Sequence, residues 1–187
     1  MDFSIPAPTA ALLDRVRHFM ATRVYPVEAE LLALGFAAAE PRLQALRAEV
    51  RAAGLWLPQM AKELGGLGLS LQEHGLVSEL LGQCPFGHYL FNCQAPDAGN
   101  MEILHKYATP AQQRRFLDPL LRGETRSCFS MTEPDNAGSN PTQLVCAAVR
   151  DGDDYVINGR KWFTSSADGA AFAVVMAVTD PGGEAHR

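Results

Sequence analysis

Phe116-Leu117-Asp118-Pro119-Leu120-Leu121-Arg122-Gly123-Glu124-Thr125-Arg126-Ser127-Cys128-Phe129-Ser130 is the stretch in which the chain changes its period. Its first half sets Phe116, Leu117, Leu120 and Leu121 on one helical face, and Gly123 is placed to stop that helix. Beyond Thr125 the pattern becomes one of short β-prone runs, Thr142–Arg150 and Tyr155–Thr164, and a continuous apolar run, Phe172–Thr179. The fold class that follows is α+β. An N-terminal α-helical bundle over residues 1–126 precedes an incomplete antiparallel β-barrel-like domain over residues 127–187.

Toward the N-terminus the helical period continues. Thr9 is placed to cap a first helix carrying Leu12, Leu13, Val16, Phe19 and Met20, which Pro26 should disturb. A second helix is expected from about Pro41, with Leu43, Leu46 and Val50 inward and Gly54 at its end. Ser70-Leu71-Gln72-Glu73 reads as a capping box ahead of Leu76, Val77, Leu80 and Leu81. A shorter helix should hold Met101, Leu104 and Tyr107, and Thr109-Pro110-Ala111-Gln112 reads as a second capped start.

Toward the C-terminus, Asp151-Gly152-Asp153-Asp154 separates the first two β-prone runs. Asn158-Gly159 lies between Val156-Ile157 and Lys161-Trp162-Phe163 and predicts a hairpin turn. Three or four strands that end at Asp180-Pro181-Gly182-Gly183 leave an open sheet edge, so a covering element is expected.

Composition excludes several classes. The 187 residues are 47% hydrophobic and 20% charged, enough for a core without disulfides. With 16 Lys+Arg against 21 Asp+Glu the net charge is −5, and no basic stripe fits a nucleic acid. The longest uncharged window, Leu80–Pro96, is broken by Gly, Pro and Asn, so no membrane span is expected. A leader with a basic-then-apolar pattern is not expected either. Cys84, Cys93, Cys128 and Cys146 lie 9, 35 and 18 residues apart with no C-x-x-C, which reads as a reduced, cytoplasmic protein with no metal site.

Three segments are candidates for chemistry. Gly65-Gly66-Leu67-Gly68 is no dinucleotide fingerprint, because no strand precedes it and Leu71 stands where a third glycine belongs; it reads as an ordinary loop. Phe129-Ser130-Met131-Thr132-Glu133-Pro134-Asp135-Asn136-Ala137-Gly138-Ser139-Asn140 is a strand end running into turn residues, where backbone N–H groups lack ladder partners. Such donors suit a cofactor carbonyl or a pyrophosphate, and an ordinary loop is the competing reading. Lys161-Trp162-Phe163-Thr164-Ser165-Ser166 is the third. The five histidines stand in no readable relation to a nucleophile.

Taken in order, these segments resemble the N-terminal half of an acyl-CoA dehydrogenase. Ala61-Lys62-Glu63-Leu64-Gly65-Gly66-Leu67-Gly68 resembles that family's loop between helices. Tyr107-Ala108-Thr109-Pro110-Ala111-Gln112 through Leu121-Arg122-Gly123-Glu124 resembles a helix that follows it. Met131-Thr132-Glu133-Pro134 with Ala137-Gly138-Ser139 resembles its flavin loop, and Asn158-Gly159-Arg160-Lys161-Trp162-Phe163-Thr164 resembles its flavin-facing strand. The likeness is colinear over essentially the whole chain.

The resemblance implies FAD as cofactor and an acyl-CoA thioester as substrate, with a hydride leaving Cβ for flavin N5 after loss of the Cα proton. By position, Phe129, Met131 and Thr132 would face the isoalloxazine, the backbone donors of Met131 and Thr132 meeting its pyrimidine edge. Gly138 would belong to the cofactor-binding loop, and Ser139 after it would meet the pyrophosphate or the substrate. Trp162 would pack on the ring system, Phe163 would join the same cofactor-facing set, and Thr164 would present its hydroxyl near N5. The helices before residue 126 would form one wall of the acyl channel.

Two departures from the family pattern stand out. Asp135-Asn136 makes the flavin loop a residue longer than in many members, and Asn140 replaces the usual Asp. Family members are about twice as long as this chain; the resemblance places the glutamate base, an oxyanion donor and most of the homo-oligomer interface beyond Arg187. Glu133 then reads as structural, and the isolated chain as inactive. An electron-transfer flavoprotein or similar acceptor is the implied partner of the complete enzyme. The alternative is a non-catalytic subunit, or an acyl-CoA- or flavin-binding module, completed by a partner chain.

Overall fold

The structure, a computed structural model, describes residues 4–138 and 140–183. It divides into two compact units, Met1–Ala98 and Gly99–Arg187.

The first unit is helical. Helix α1 (Ala7–Phe19) runs into a π-turn at Met20–Val24 before α2 (Tyr25–Leu34), whose second residue is Pro26. A proline has no N–H to return to the preceding turn, and the wider π-turn takes up the mismatch just ahead of it. Thr9 is not the cap. The helix begins at Ala7 behind Pro6, so Thr9 lies inside it, buried, with its hydroxyl donating to Glu73 Oε1 at 2.9 Å. Helix α3 (Phe36–Ala52) starts five residues earlier than the expected Pro41, because Gly35 (φ +73) turns the chain directly from α2 into α3 and Pro41 is carried inside. Leu43, Leu46 and Val50 are buried as the pattern requires. Helix α4 (Leu71–Leu81) opens with the full capping box of Ser70 and Glu73, and a short α5 (Gly87–Leu90) follows. Phe19 meets Phe91 edge-on at 5.8 Å in this core.

The glycine-rich loop is a structural hairpin of backbone. The N–H groups of Gly66, Leu67 and Gly68 donate to Ala61 O, Leu57 O and Met60 O, so none of the three is left to face an anion. A Cβ on Gly66 would stand 2.1 Å from the Met60 oxygen, which is why no larger residue fits there.

The second unit begins two residues into α6 (Asp97–Tyr107), which is followed by α7 (Pro110–Gln112), a π-turn at Gln113–Leu117 and α8 (Asp118–Leu121). The capping box of Thr109 and Gln112 forms as read. Strands β1 (Ser127–Ser130) and β4 (Phe172–Val175) pair in parallel, Ser127 opposite Phe172 and Ser130 opposite Val175. Strands β2 (Ala147–Asp151) and β3 (Asp154–Asn158) form an antiparallel hairpin. The helices pack with the strands here. Asn100 Nδ2 donates to Ser127 Oγ at 2.9 Å and Cys128 O at 3.2 Å, and Phe116 meets Phe172 at 5.0 Å. Those contacts draw α6 to α8 into the strands' unit, so compactness changes at residue 98 although the sequence period changes near 126.

Two expectations for the strands are corrected. The described residues hold two two-stranded sheets, one parallel, and neither closes toward a barrel. Parallel partners need a long crossover, and residues 131–171 supply it between β1 and β4. The hairpin turn lies at Gly152-Asp153, with Gly152 at φ +61 and Asp151 opposite Asp154, and not at Asn158-Gly159. After Asn158 the chain leaves the sheet; Phe163 has φ +50, which no strand allows. All four cysteines are buried and free.

The two glycine environments make opposite demands. Gly66→Ala should destabilise the chain by about 1–3 kcal/mol or more through overpacking against backbone. Gly75→Ala, exposed within α4 with nothing in 4 Å of its Cβ, should stabilise it by about 0.5–1 kcal/mol. Urea unfolding of the two variants measures both; equal effects would contradict the packing assigned to the loop.

Candidate functional site

The second unit brings together two segments that are thirty residues apart in sequence. One continues from β1 through Met131-Thr132-Glu133 into the loop at Pro134–Gly138; the other is Gly159–Ser166. Trp162 N–H donates to Thr132 O at 3.1 Å, and the Ser130 and Thr164 hydroxyls lie 3.2 Å apart.

Glu133 is the knot between them. Its side chain is 3% exposed. Oε1 accepts from Cys146 N–H at 2.8 Å and Lys161 Nζ at 2.9 Å; Oε2 accepts from Val145 N–H at 2.8 Å and Asn136 Nδ2 at 2.9 Å. Burial alone would raise this carboxyl's pKa, but the N–H groups of Val145 and Cys146, the Lys161 ammonium and the Asn136 amide outweigh it and hold the group at about 2. Lys161 Nζ makes a second bond, to Met131 O at 2.8 Å. Next to this pair, Arg160 and Asp135 form an exposed bridge at 2.8 Å across the same two segments.

What these bonds present outward is a mixed surface. The backbone N–H groups of Met131 and Thr132 have no acceptor among the described residues. Trp162 is 45% and Phe163 78% exposed, with ring centroids 4.7 Å apart. Phe129 alternates to the side of β1 opposite the buried Cys128 and Ser130 and is half-buried, as are Met131, Thr132 and Thr164. Gly138 lies against Thr132, where a Cβ would come within 2.7 Å of Cγ2. Two unspent donors beside two exposed rings and a hydroxyl pair suit a broad, flat ligand with acceptors along one edge.

Of the residues singled out from sequence, Met131, Thr132, Gly138, Trp162 and Thr164 are thus joined by direct contacts to one another or to their neighbours. Phe129 sits on the adjoining strand and Phe163 packs on Trp162 with the two rings tilted by 49°. Ser139 lies outside the described residues. Lys161 carried no role in the sequence, because Arg160 beside it and Asp135 near Glu133 leave the pairing of the four charges undecided until the fold is seen. Asn136 and the Val145-Cys146 amides carried no comparable signal. Among the described residues no group of three or more His, Cys, Asp and Glu side chains is arranged to hold a metal ion.

Residues 8–124 match the family model described as acyl-CoA dehydrogenase, N-terminal domain, and residues 128–187 match that of its middle domain. A mouse relative, acyl-CoA dehydrogenase family member 11, is 39% identical over 190 residues, covering 94% of this chain and 24% of the relative. A solved structure from Mycobacterium abscessus, named for acyl-CoA dehydrogenase, is 42% identical with a TM-score of 0.89, covering 98% of this chain and 49% of that one. A glutaryl-CoA dehydrogenase from Mycobacterium smegmatis, solved in complex with FADH2, is 25% identical with a TM-score of 0.68, covering 94% and 44%. The chain therefore spans about half the length of these solved structures and about a quarter of the mouse relative.

The state of Glu133 has a pH signature. Its pKa is lowered on folding from an ordinary 4.5 to about 2, so the stability it contributes is complete above pH 4.5 and is lost as pH falls toward 2. Denaturant midpoints across that window should drop for the wild-type chain, and Glu133→Gln should start lower at neutral pH and flatten the dependence. A wild-type midpoint unchanged between pH 5 and 3 would contradict the assignment.

Proposed function

The chain belongs to the acyl-CoA dehydrogenase family, and from that premise we propose that it forms the flavin-facing part of an FAD-dependent enzyme that dehydrogenates an acyl-CoA thioester between Cα and Cβ. The observation that carries the proposal is the pair of unspent donors, Met131 N–H and Thr132 N–H, set beside the exposed Trp162–Phe163 rings. When bound, FAD supplies the hydride acceptor.

The residues divide the work by chemistry. Met131 and Thr132 donate to acceptors on the ring's pyrimidine edge, where fixed donors favour negative charge without reorganisation. Phe129, Trp162 and Phe163 provide apolar cover that excludes water from the ring. Thr164, its hydroxyl paired with that of Ser130, would offer the flavin a hydroxyl donor. Gly138 lets the loop close on Thr132, and Ser139 belongs to the same loop, toward pyrophosphate or substrate.

Glu133 does not serve as the base. Removal of a Cα proton needs a carboxylate within reach of substrate and with a pKa near the working pH. Glu133 is buried, already accepts four bonds and is held at about 2. We therefore place the base and the thioester's oxyanion donor outside these 187 residues, along with the contacts to an electron-transfer flavoprotein or similar acceptor and the homo-oligomer interface. The four free thiols support a reducing, cytoplasmic setting as part of the same proposal.

A second reading, a non-catalytic subunit or binding module completed by a partner chain, draws on one observation. The β2–β3 hairpin exposes Val149, Tyr155, Val156 and Ile157 at 46–63%. Co-purification of a stoichiometric partner would favour it.

Dye reduction with a panel of acyl-CoAs tests the leading reading. The isolated chain should give no turnover, and should bind FAD weakly enough to lose it on desalting. Equilibrium titration should nonetheless detect FAD, and Trp162→Ala should weaken that binding about tenfold. Turnover by the chain alone would overturn the placement of the base.

A further inference from the structure

Lys161 binds the carbonyl of the peptide that carries the Thr132 N–H. Its ammonium donates to Met131 O at 2.8 Å as well as to Glu133 Oε1 at 2.9 Å, and its side chain is only 12% exposed. The Met131–Thr132 peptide is trans; the one cis bond among the described residues is Ala95–Pro96. In a trans peptide the carbonyl oxygen and the following N–H point to opposite sides of the bond. A cation fixed on Met131 O therefore directs Thr132 N–H away from Lys161, toward the side where it has no acceptor among the described residues. A cation on the oxygen also draws electron density from the amide, making its N–H a stronger donor.

The loop does not need Lys161 for this purpose alone. Val145 N–H, Cys146 N–H and Asn136 already bind Glu133 and tie the loop to the chain ahead of β2. Arg160 and Asp135 bridge the two segments at the surface. The second hydrogen bond of Lys161, to a backbone oxygen whose amide partner faces out, is the one these contacts leave unexplained. Meanwhile Trp162 N–H holds the next carbonyl, Thr132 O, so two successive peptide planes are fixed.

We propose that Lys161 is a positioning residue that aims and polarises the Thr132 N–H through the Met131 carbonyl, so that the site favours reduced over oxidised FAD. This deepens the flavin reading above and rests on it. Lys161 itself meets no ligand. Reduction adds electron density at the ring edge that accepts this bond, so a stronger donor stabilises the reduced form more than the oxidised one.

The test compares Glu133→Gln, which keeps Lys161, with Glu133→Gln/Lys161→Met, which removes the cation without leaving a buried carboxylate unpaired. Lys161→Arg is the conservative variant and keeps the proposal testable if the double variant fails to fold. In amide NMR spectra of the 187-residue chain without FAD, the Thr132 proton should move upfield in the double variant and stay near its wild-type position in Lys161→Arg. Titrated with oxidised and dithionite-reduced FAD, the double variant should lose about tenfold more affinity for the reduced form than Glu133→Gln does. A Thr132 resonance shared by Glu133→Gln and the double variant, one displaced as far by Lys161→Arg as by the double variant, or an equal loss for both FAD forms would overturn the proposal. If FAD moves no amide between residues 129 and 164 of the wild-type chain, the flavin reading falls and takes the proposed donor target with it. The FAD-free spectra still report separately whether Lys161 acts on the peptide.

Discussion

A carboxylate withdrawn from water must have both its oxygens filled, and at Glu133 the four donors come from three stretches of the sequence: Asn136, the adjacent Val145 and Cys146, and Lys161. That requirement organises the second unit. It holds the loop after β1 against the chain entering β2, and it draws the segment after β3 back alongside both. Removing one partner would leave a buried charge uncompensated, which costs far more than an exposed ion pair returns. The neighbouring Arg160–Asp135 bridge lies in solvent and adds little by comparison. The outward features, Met131 N–H, Thr132 N–H, Trp162 and Thr164, are all within three residues of one end or the other of the Glu133–Lys161 pair. Their placement follows from it.

Under the proposed function, this division of labour explains why the loop after β1 contains a charge that does no chemistry. A ring-binding edge made of backbone amides has no side chains with which to brace itself. Bracing must come from the far side of the same peptides, and a buried ion pair supplies it with a stiffness that exposed hydrogen bonds lack. The strand ladder cannot do so, since β1 ends at Ser130 and the amides concerned lie just past it.

Local signals were legible in sequence where local physics decides the outcome. Ser70 with Glu73 and Thr109 with Gln112 form capping boxes within four residues, and no distant contact competes with them. Thr9 had the right chemistry for a cap but was outbid by two prolines that start the helix earlier and by a distant acceptor, Glu73. Strand pairing was legible least. Asn158-Gly159 has the composition of a tight turn, yet Asp151–Asp154 closes the hairpin and the Lys161 segment is taken up by the loop after β1. The parallel partnership of β1 with β4 links residues more than forty apart, beyond the reach of any periodicity. For the site, the resemblance of motifs pointed to two segments that the structure sets side by side, whereas the two acceptors of Lys161, Met131 O and Glu133 Oε1, are visible only in the folded chain.

The buried cysteines give each unit its own clock. Cys84 and Cys93 lie in the first unit, Cys128 and Cys146 in the second, and none is exposed in the folded chain. Burial pushes the Cys93 thiol up to about 12, so it carries almost no thiolate while its surroundings stay closed. Alkylation then has to wait for local opening, and the rate at each thiol reads the opening of its own neighbourhood. A ligand that tightens residues 129–164 would slow labelling at Cys128 and Cys146 while leaving Cys84 and Cys93 on their own schedule, which makes thiol chemistry a site-resolved gauge of cohesion that needs no added probe.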